Sequence, residues 1–195
     1  MITTLGLGDE TKKLVGELPL GWKQKLAFSV AIFHRPKIVF LDEPTGGVDP
    51  LTRRQFWDLI YEAAADGITV FVTTHYMDEA ERCHRLAILD QGLLVADDTP
   101  AALTAALAGR SLLVSAAEPR RAQKVIAQMP GVLSVAQVGN LLRVLCDDGR
   151  TAADRLREAL RAQGLEARIE AGTPNLEDVF VAATRRTPPA QEKPS

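Results

Sequence analysis

Cysteine is scarce in this sequence. Cys83 and Cys146 are its two thiols, and their spacing fits neither a metal-ligand nor a redox motif, which argues against a disulfide scaffold. Two reduced thiols are the usage expected of a cytosolic protein. Long apolar runs are also missing. None approaches the roughly 20 residues that a membrane-spanning helix needs. The opening Met1-Ile2-Thr3-Thr4-Leu5-Gly6 lacks the basic end and apolar stretch of a signal peptide. Work at a membrane would therefore require another chain to hold this one there. The net charge is only −2, which gives no reason to expect nucleic acid as a partner. That charge is unevenly spread. Residues 1–100 carry 10 Lys and Arg against 15 Asp and Glu, whereas residues 101–195 carry 13 against 10. The change of sign marks a compositional shift near the middle of the chain.

The first half alternates helical and strand patterns. Residues 22–34 read as a helix whose apolar face is Leu26, Ala27, Val30, Ala31 and Phe33. Arg35-Pro36 ends it, because proline disfavours the helical conformation in the residue before it. Ile38-Val39-Phe40-Leu41 then suits a strand buried on both faces of a parallel sheet. Asp49-Pro50 is a helix start, with Phe56, Trp57, Ile60 and Ala64 as the buried stripe. After Asp66-Gly67 comes a second buried strand, Ile68–Thr73. Asp78-Glu79-Ala80-Glu81 opens another helix with acids in its first turn. Leu86–Leu89 and Leu93–Ala96 flank Asp90-Gln91-Gly92 as a hairpin. Strand and helix in alternation predict an α/β layer architecture. From about residue 110 the rhythm becomes β-α-β-β-α-β, the split unit of ferredoxin-like folds. Residues 185–195 read as a disordered tail.

Four stretches carry candidate chemistry. Ile38–Leu41 ends in Asp42-Glu43, placing two carboxylates at the C-terminal end of a strand, where open α/β sheets bind ligands. One can hold Mg²⁺ against a nucleotide's phosphates. Its neighbour can accept a proton from an attacking water. Taken alone, the run is equally a strand ending in two solvated acids. Thr73-Thr74-His75 ends the next strand. Parallel neighbours would bring His75 to the edge that holds Glu43, where an imidazole could orient the water or bond a phosphate; alone it could be a capping histidine. Gly46-Gly47-Val48-Asp49 allows a tight turn and close approach to another surface, and is also a plain turn with an N-cap. Leu18–Lys25 opens a helix, whose free N–H groups can receive an anion, and alone it is equally an ordinary helix start.

In this order and at these spacings, the four stretches resemble the ATP-binding cassette family. Its signature, acidic strand, D-loop and switch histidine match Leu18–Gln24, Ile38–Glu43, Gly47–Asp49 and His75. The likeness covers about residues 5–100. Residues 110–183 resemble the accessory domain of drug-exporter and polysaccharide-exporter cassettes. The resemblance implies that Asp42 holds Mg²⁺, Glu43 is the general base and His75 senses the γ-phosphate. It implies that Asp49 speaks across a cassette dimer, and that Leu18 and Gly21 belong to the stretch facing ATP bound on a partner cassette. The expected fold is a partial P-loop NTPase (RecA-like) parallel sheet lacking its phosphate-loop strand, followed by a small ferredoxin-like domain. The expected domains are 1–108, the C-terminal part of a cassette, and 109–184, the accessory domain. The expected partners are a second cassette and an integral-membrane permease, with the protein cytoplasmic at the inner face of the membrane. The implied function is an ATPase subunit of an exporter. The alternative is a non-hydrolysing regulatory fragment that lends its signature helix to a complete cassette.

Two departures from the family qualify these expectations. Pro19 and Leu20 stand where the family's signature has serine and its first glycine, and proline has no donor to offer a phosphate. This variant resembles the second cassette of tandem-cassette exporters. No Gly-x-x-x-x-Gly-Lys-[Ser/Thr] loop, the cradle for nucleotide phosphates, occurs in the chain. The family carries that loop upstream of the signature, so the sequence is expected to represent the later part of a cassette.

Overall fold

The computed structural model describes residues 13–185, which pack as two units that divide at His75 and Tyr76. In the first unit, a short 3₁₀ turn (Val15–Glu17) leads into α1 (Leu20–Ile32), β1 (Ile38–Asp42), α2 (Pro50–Ala65) and β2 (Thr69–Thr73). The strands β1 and β2 run parallel, with Ile38 opposite Thr69 and Asp42 opposite Thr73. Asp49 caps α2 by accepting from Leu51 N and Thr52 N, each at 3.0 Å, and Pro50 follows it at the first position. Gly67, at φ +88°, lets the chain leave α2 and turn into β2.

The core of this unit is Leu18, Phe28, Val39, Phe56, Trp57, Ile60, Ala63 and Ile68. Phe28 of α1 meets Phe56 of α2 with ring centroids 5.4 Å apart. The buried stripe of α2 is as expected, with Ala63 in place of Ala64. The face expected for α1 is corrected. Its buried residues are Lys25, Phe28 and Ser29, while Val30 and Phe33 lie exposed. Phe28 is the ring that α2 receives, and this rotates the expected stripe away from the core. The burial expected for the strands is corrected as well. Val39 is buried, but Ile38, Phe40 and Phe71 are 52%, 75% and 54% exposed. The reason is topological: this sheet has two strands, and one of its faces has no covering layer within the described residues of its own unit. Phe40 and Phe71 lie side by side on that face, 5.7 Å between centroids.

The second unit begins with α3 (Met77–Ala80), a single turn, and a hairpin of β3 (Leu86–Asp90) and β4 (Leu93–Asp98). Gln91 and Gly92 at the hairpin tip both have positive φ, as a tight primed turn requires. α4 (Pro100–Ala105) follows, capped by Thr99, whose hydroxyl accepts from Ala102 N at 3.1 Å. Then come β5 (Ser111–Ala116), α5 (Pro119–Ala127), β6 (Val132–Val138), β7 (Leu141–Cys146), α6 (Gly149–Ala162), β8 (Ala167–Ala171) and α7 (Leu176–Thr184). The four strands β5–β8 form one antiparallel sheet in the order β6-β7-β5-β8. That is the ferredoxin-like arrangement read from the sequence. One side of this sheet supplies Val114, Leu142 and Val144 to a core with Ala122 and Ile126 of α5 and Leu156 and Leu160 of α6. The other side supplies Leu145 to a second core with Leu107, Leu176, Val179 and Ala182. Arg143 of β7 pins α7, pairing with the buried Asp178 at 3.1 Å and donating to Thr173 O at 2.8 Å.

The compact units divide between His75 and Tyr76, a division of packing that differs from the expected functional domains 1–108 and 109–184. Packing accounts for the difference. Leu86, Ile88 and Leu103 pack into the same core as α7, which ties the hairpin and α4 to the later sheet. Residues 186–195 of the expected tail lie outside the described residues.

Candidate functional site

The parallel register of β1 and β2 sets the site. Asp42 and Thr73 end their strands opposite each other, and the Thr73 hydroxyl donates to Asp42 Oδ1. The chain then turns sharply. Glu43 takes φ +41°, a left-handed conformation rare in side-chain-bearing residues and recurrent where structure serves function. The Glu43 N–H points back at Thr73, 3.1 Å from its carbonyl oxygen and 3.2 Å from its hydroxyl. Two residues beyond Thr73, His75 brings Nδ1 to 3.1 Å from Glu43 Oε1. Both side chains are more than half exposed, at 58% and 55%, so the pair faces solvent at the C-terminal rim of the strands. The structure thus gathers Asp42, Glu43 and His75 on one edge.

The loop that leaves Glu43 is held in turn. Gly46 N donates to Glu43 O at 3.0 Å, and Thr45 is buried. Gln24 of α1 reaches over to donate Nε2 to Gly46 O at 3.3 Å. Gly47 takes φ +74° and lies against Leu20, which a side chain at 47 would meet at 3.4 Å. The opening turn of α1 is in this way joined to the loop of the two acids.

The remaining predicted residues are placed elsewhere. The Asp49 carboxylate is committed to α2, taking the two backbone N–H groups and the Thr52 hydroxyl at 2.5 Å. Those bonds, the hydroxyl's first, hold its pKa below the ordinary carboxylate range. Leu18 is a core residue. Gly21 faces α2 so closely that a Cβ would fall 2.3 Å from Thr52 Cγ2. Two further residues carry no signal in the linear pattern. Thr73 could be found only by pairing the two strands in parallel register. Lys25 lies buried, with Nζ 2.5 Å from Gln55 Oε1 and 4.8 Å from the Trp22 ring centroid. Burial pushes its ammonium pKa down, with the Asp49 charge partly opposing.

The rim offers hard oxygen donors, which suit Mg²⁺. Among the described residues no group of three His, Cys, Asp or Glu side chains stands together as a self-sufficient metal cage. Mg²⁺ commonly takes one or two protein carboxylates and completes its shell with water and substrate phosphates, and Asp42 and Glu43 fit that pattern. Among the described residues no helix is long and apolar enough to cross a membrane.

Comparison with known proteins adds a second line of observation. Residues 5–77 match a family described as "AAA domain, putative AbiEii toxin, Type IV TA system". A probable multidrug ABC transporter ATP-binding protein, YbhF of Escherichia coli (strain K12), is 51% identical over 100 residues, which are 51% of this chain and 17% of that protein. The daunorubicin/doxorubicin resistance ATP-binding protein DrrA of Streptomyces peucetius is 33% identical over 190 residues, 94% of this chain and 57% of that protein. A solved ATP-binding cassette of an ABC transporter matches with a TM-score of 0.47 and 25% identity, over 50% of this chain and 39% of its own. The chain spans less than two thirds of the length of each of these relatives.

Proposed function

The chain is homologous to the ATP-binding proteins of ABC transporters, and from that premise we propose that it is the later part of an ATP-hydrolysing exporter cassette. The observation that carries this reading is the convergence of Asp42, Glu43 and His75 on one rim, with His75 Nδ1 3.1 Å from Glu43 Oε1. Phosphoryl transfer to water needs charge neutralisation and a positioned base side by side. Asp42 is the residue to hold the Mg²⁺ of Mg-ATP, which when bound supplies charge neutralisation at the phosphates. Glu43 accepts the proton of the attacking water. His75 holds the Glu43 carboxylate in place through Nδ1.

The bare face of β1 and β2 supports incompleteness. Parallel sheets are ordinarily covered on both faces, and Ile38, Phe40 and Phe71 are the apolar surface that a further cassette layer would cover. In this reading residues 1–108 form the cassette part and 109–184 the accessory domain. A second cassette and a membrane permease are the partners, and the protein sits at the inner face of the membrane. Of the three residues expected to face that second cassette, Leu18 is corrected to a core residue, while Gly21 and Asp49, at the starts of α1 and α2, remain the candidates.

The test is to join the chain to the phosphate-loop part of one of its relatives and measure Mg-ATP binding and turnover. Glu43→Gln is expected to abolish turnover, about a hundredfold or more as for loss of a general base, while ATP binding persists. Turnover at the parent rate would rule out Glu43 as base.

A further inference from the structure

We propose that Thr73 is the positioning residue of the acidic rim, its hydroxyl fixing the Asp42 carboxylate for a divalent cation and its backbone and hydroxyl together fixing the turn at Glu43. This rests on the reading of Asp42 as the cation-holding residue. The hydroxyl has one proton and two lone pairs. Its proton goes to Asp42 Oδ1, and one lone pair faces Glu43 N at 3.2 Å. The single donor is spent on Asp42, so that carboxylate accepts at Oδ1, and its remaining lone pairs would be those available to a cation. The same residue also receives the Glu43 N–H on its carbonyl at 3.1 Å. One threonine therefore touches both members of the acid pair, and it does so from the neighbouring strand. The parallel register brings it there, since Thr73 is the residue opposite Asp42.

A hydrogen bond to a ligating carboxylate fixes its orientation, and loss of such an outer partner costs about 10- to 100-fold in metal affinity. Valine has the shape of threonine without the hydroxyl and is well suited to a strand, so Thr73→Val removes the bond with little change of packing. Serine keeps the hydroxyl and should restore it.

The experiment uses the 195-residue chain in solution by NMR. Three-bond couplings to the Asp42 carboxyl carbon report its χ1 rotamer, and Mn²⁺ alone, added as the chloride, reports cation occupancy through line broadening at Asp42. The unsubstituted chain and Thr73→Ser are expected to show one Asp42 rotamer and similar broadening. Thr73→Val is expected to show averaged couplings and an apparent Mn²⁺ affinity lower by about tenfold. Thr73→Ala serves as a second hydroxyl-free variant if the valine unfolds. An unchanged rotamer and unchanged Mn²⁺ response in the hydroxyl-free variants would overturn the role of Thr73. Absence of Mn²⁺ broadening at Asp42 in the unsubstituted chain would overturn the cation reading instead, and the coupling measurement would then decide by itself whether Thr73 holds the carboxylate.

Discussion

Asp49 is asked to fill two roles, and its geometry says which it meets inside this chain. The carboxylate takes Leu51 N, Thr52 N and the Thr52 hydroxyl, which is the full service of an N-cap. Its pKa lies below the ordinary value near 3.8, with the Thr52 hydroxyl the leading cause. A depressed folded pKa means that the carboxylate stabilises the fold above its unfolded pKa, and that this contribution is lost as pH falls through the lower folded value. Asp49→Ala should therefore lower the thermal unfolding midpoint at neutral pH. The gap between variant and parent should close as the solution is acidified below about 3.8, the ordinary value, as followed by circular dichroism. A gap constant across that range would show that the cap, and not the charge, carries the effect. The cap was legible from Asp49-Pro50 alone. The third donor to its carboxylate, the Thr52 hydroxyl, stands on the first turn of α2 and was legible only with coordinates. Thr73 was hidden for a related reason, because a strand-end threonine means nothing until its cross-strand neighbour is known.

Between elements, the contact of α1 with α2 gives a packing reason for a glycine to which the family resemblance gave a place facing a partner's ATP. A Cβ at Gly21 would fall 2.3 Å from Thr52 Cγ2, nearer than real atoms approach. A larger residue would force the Thr52 side chain to turn or the two helix starts to separate. Gly21→Ala is expected to destabilise the chain by about 1–3 kcal/mol, the usual cost of overpacking. Thr52→Ser removes Cγ2 but keeps the hydroxyl that Asp49 accepts, so the double variant should recover much of the loss. Chemical denaturation of the two single variants and the double variant measures the coupling. Additive losses would place the close contact elsewhere. The elements themselves were mostly readable from periodicity. The β-α-β-β-α-β order and the α2 stripe follow from apolar spacing that one strand or helix determines by itself. The α1 face was misread because Val30 and Phe33 are apolar without being buried, and periodicity detects apolar character, not the presence of a partner. α4 was passed over although Thr99-Pro100 is a standard helix start.

Across the whole chain, the acidic rim and the phosphate cradle are separable requirements, and only the first has its residues in this sequence. Asp42, Glu43 and His75 meet on one edge. A Gly-x-x-x-x-Gly-Lys-[Ser/Thr] loop is absent from residues 1–195. Backbone N–H groups and a lysine from such a loop provide most of the grip on a triphosphate. The chain by itself is therefore expected to bind Mg-ATP no tighter than about millimolar, equivalent to about −4 kcal/mol, in a calorimetric titration. Micromolar affinity would mean that some other part of the chain cradles phosphate. The packing of the hairpin was the least legible feature at this scale. A change of rhythm near 110 is visible in sequence, but the hairpin β3–β4 and α4 share a core with α7, and a contact of that span leaves no local trace.

The aromatic pair Phe40 and Phe71 has a consequence beyond the rim it underlies. Two adjacent rings open to water are the kind of surface that folding intermediates expose before it is buried. A chain displaying them alone carries the kind of surface on which chains stick to one another, and covering the rings would remove that hazard.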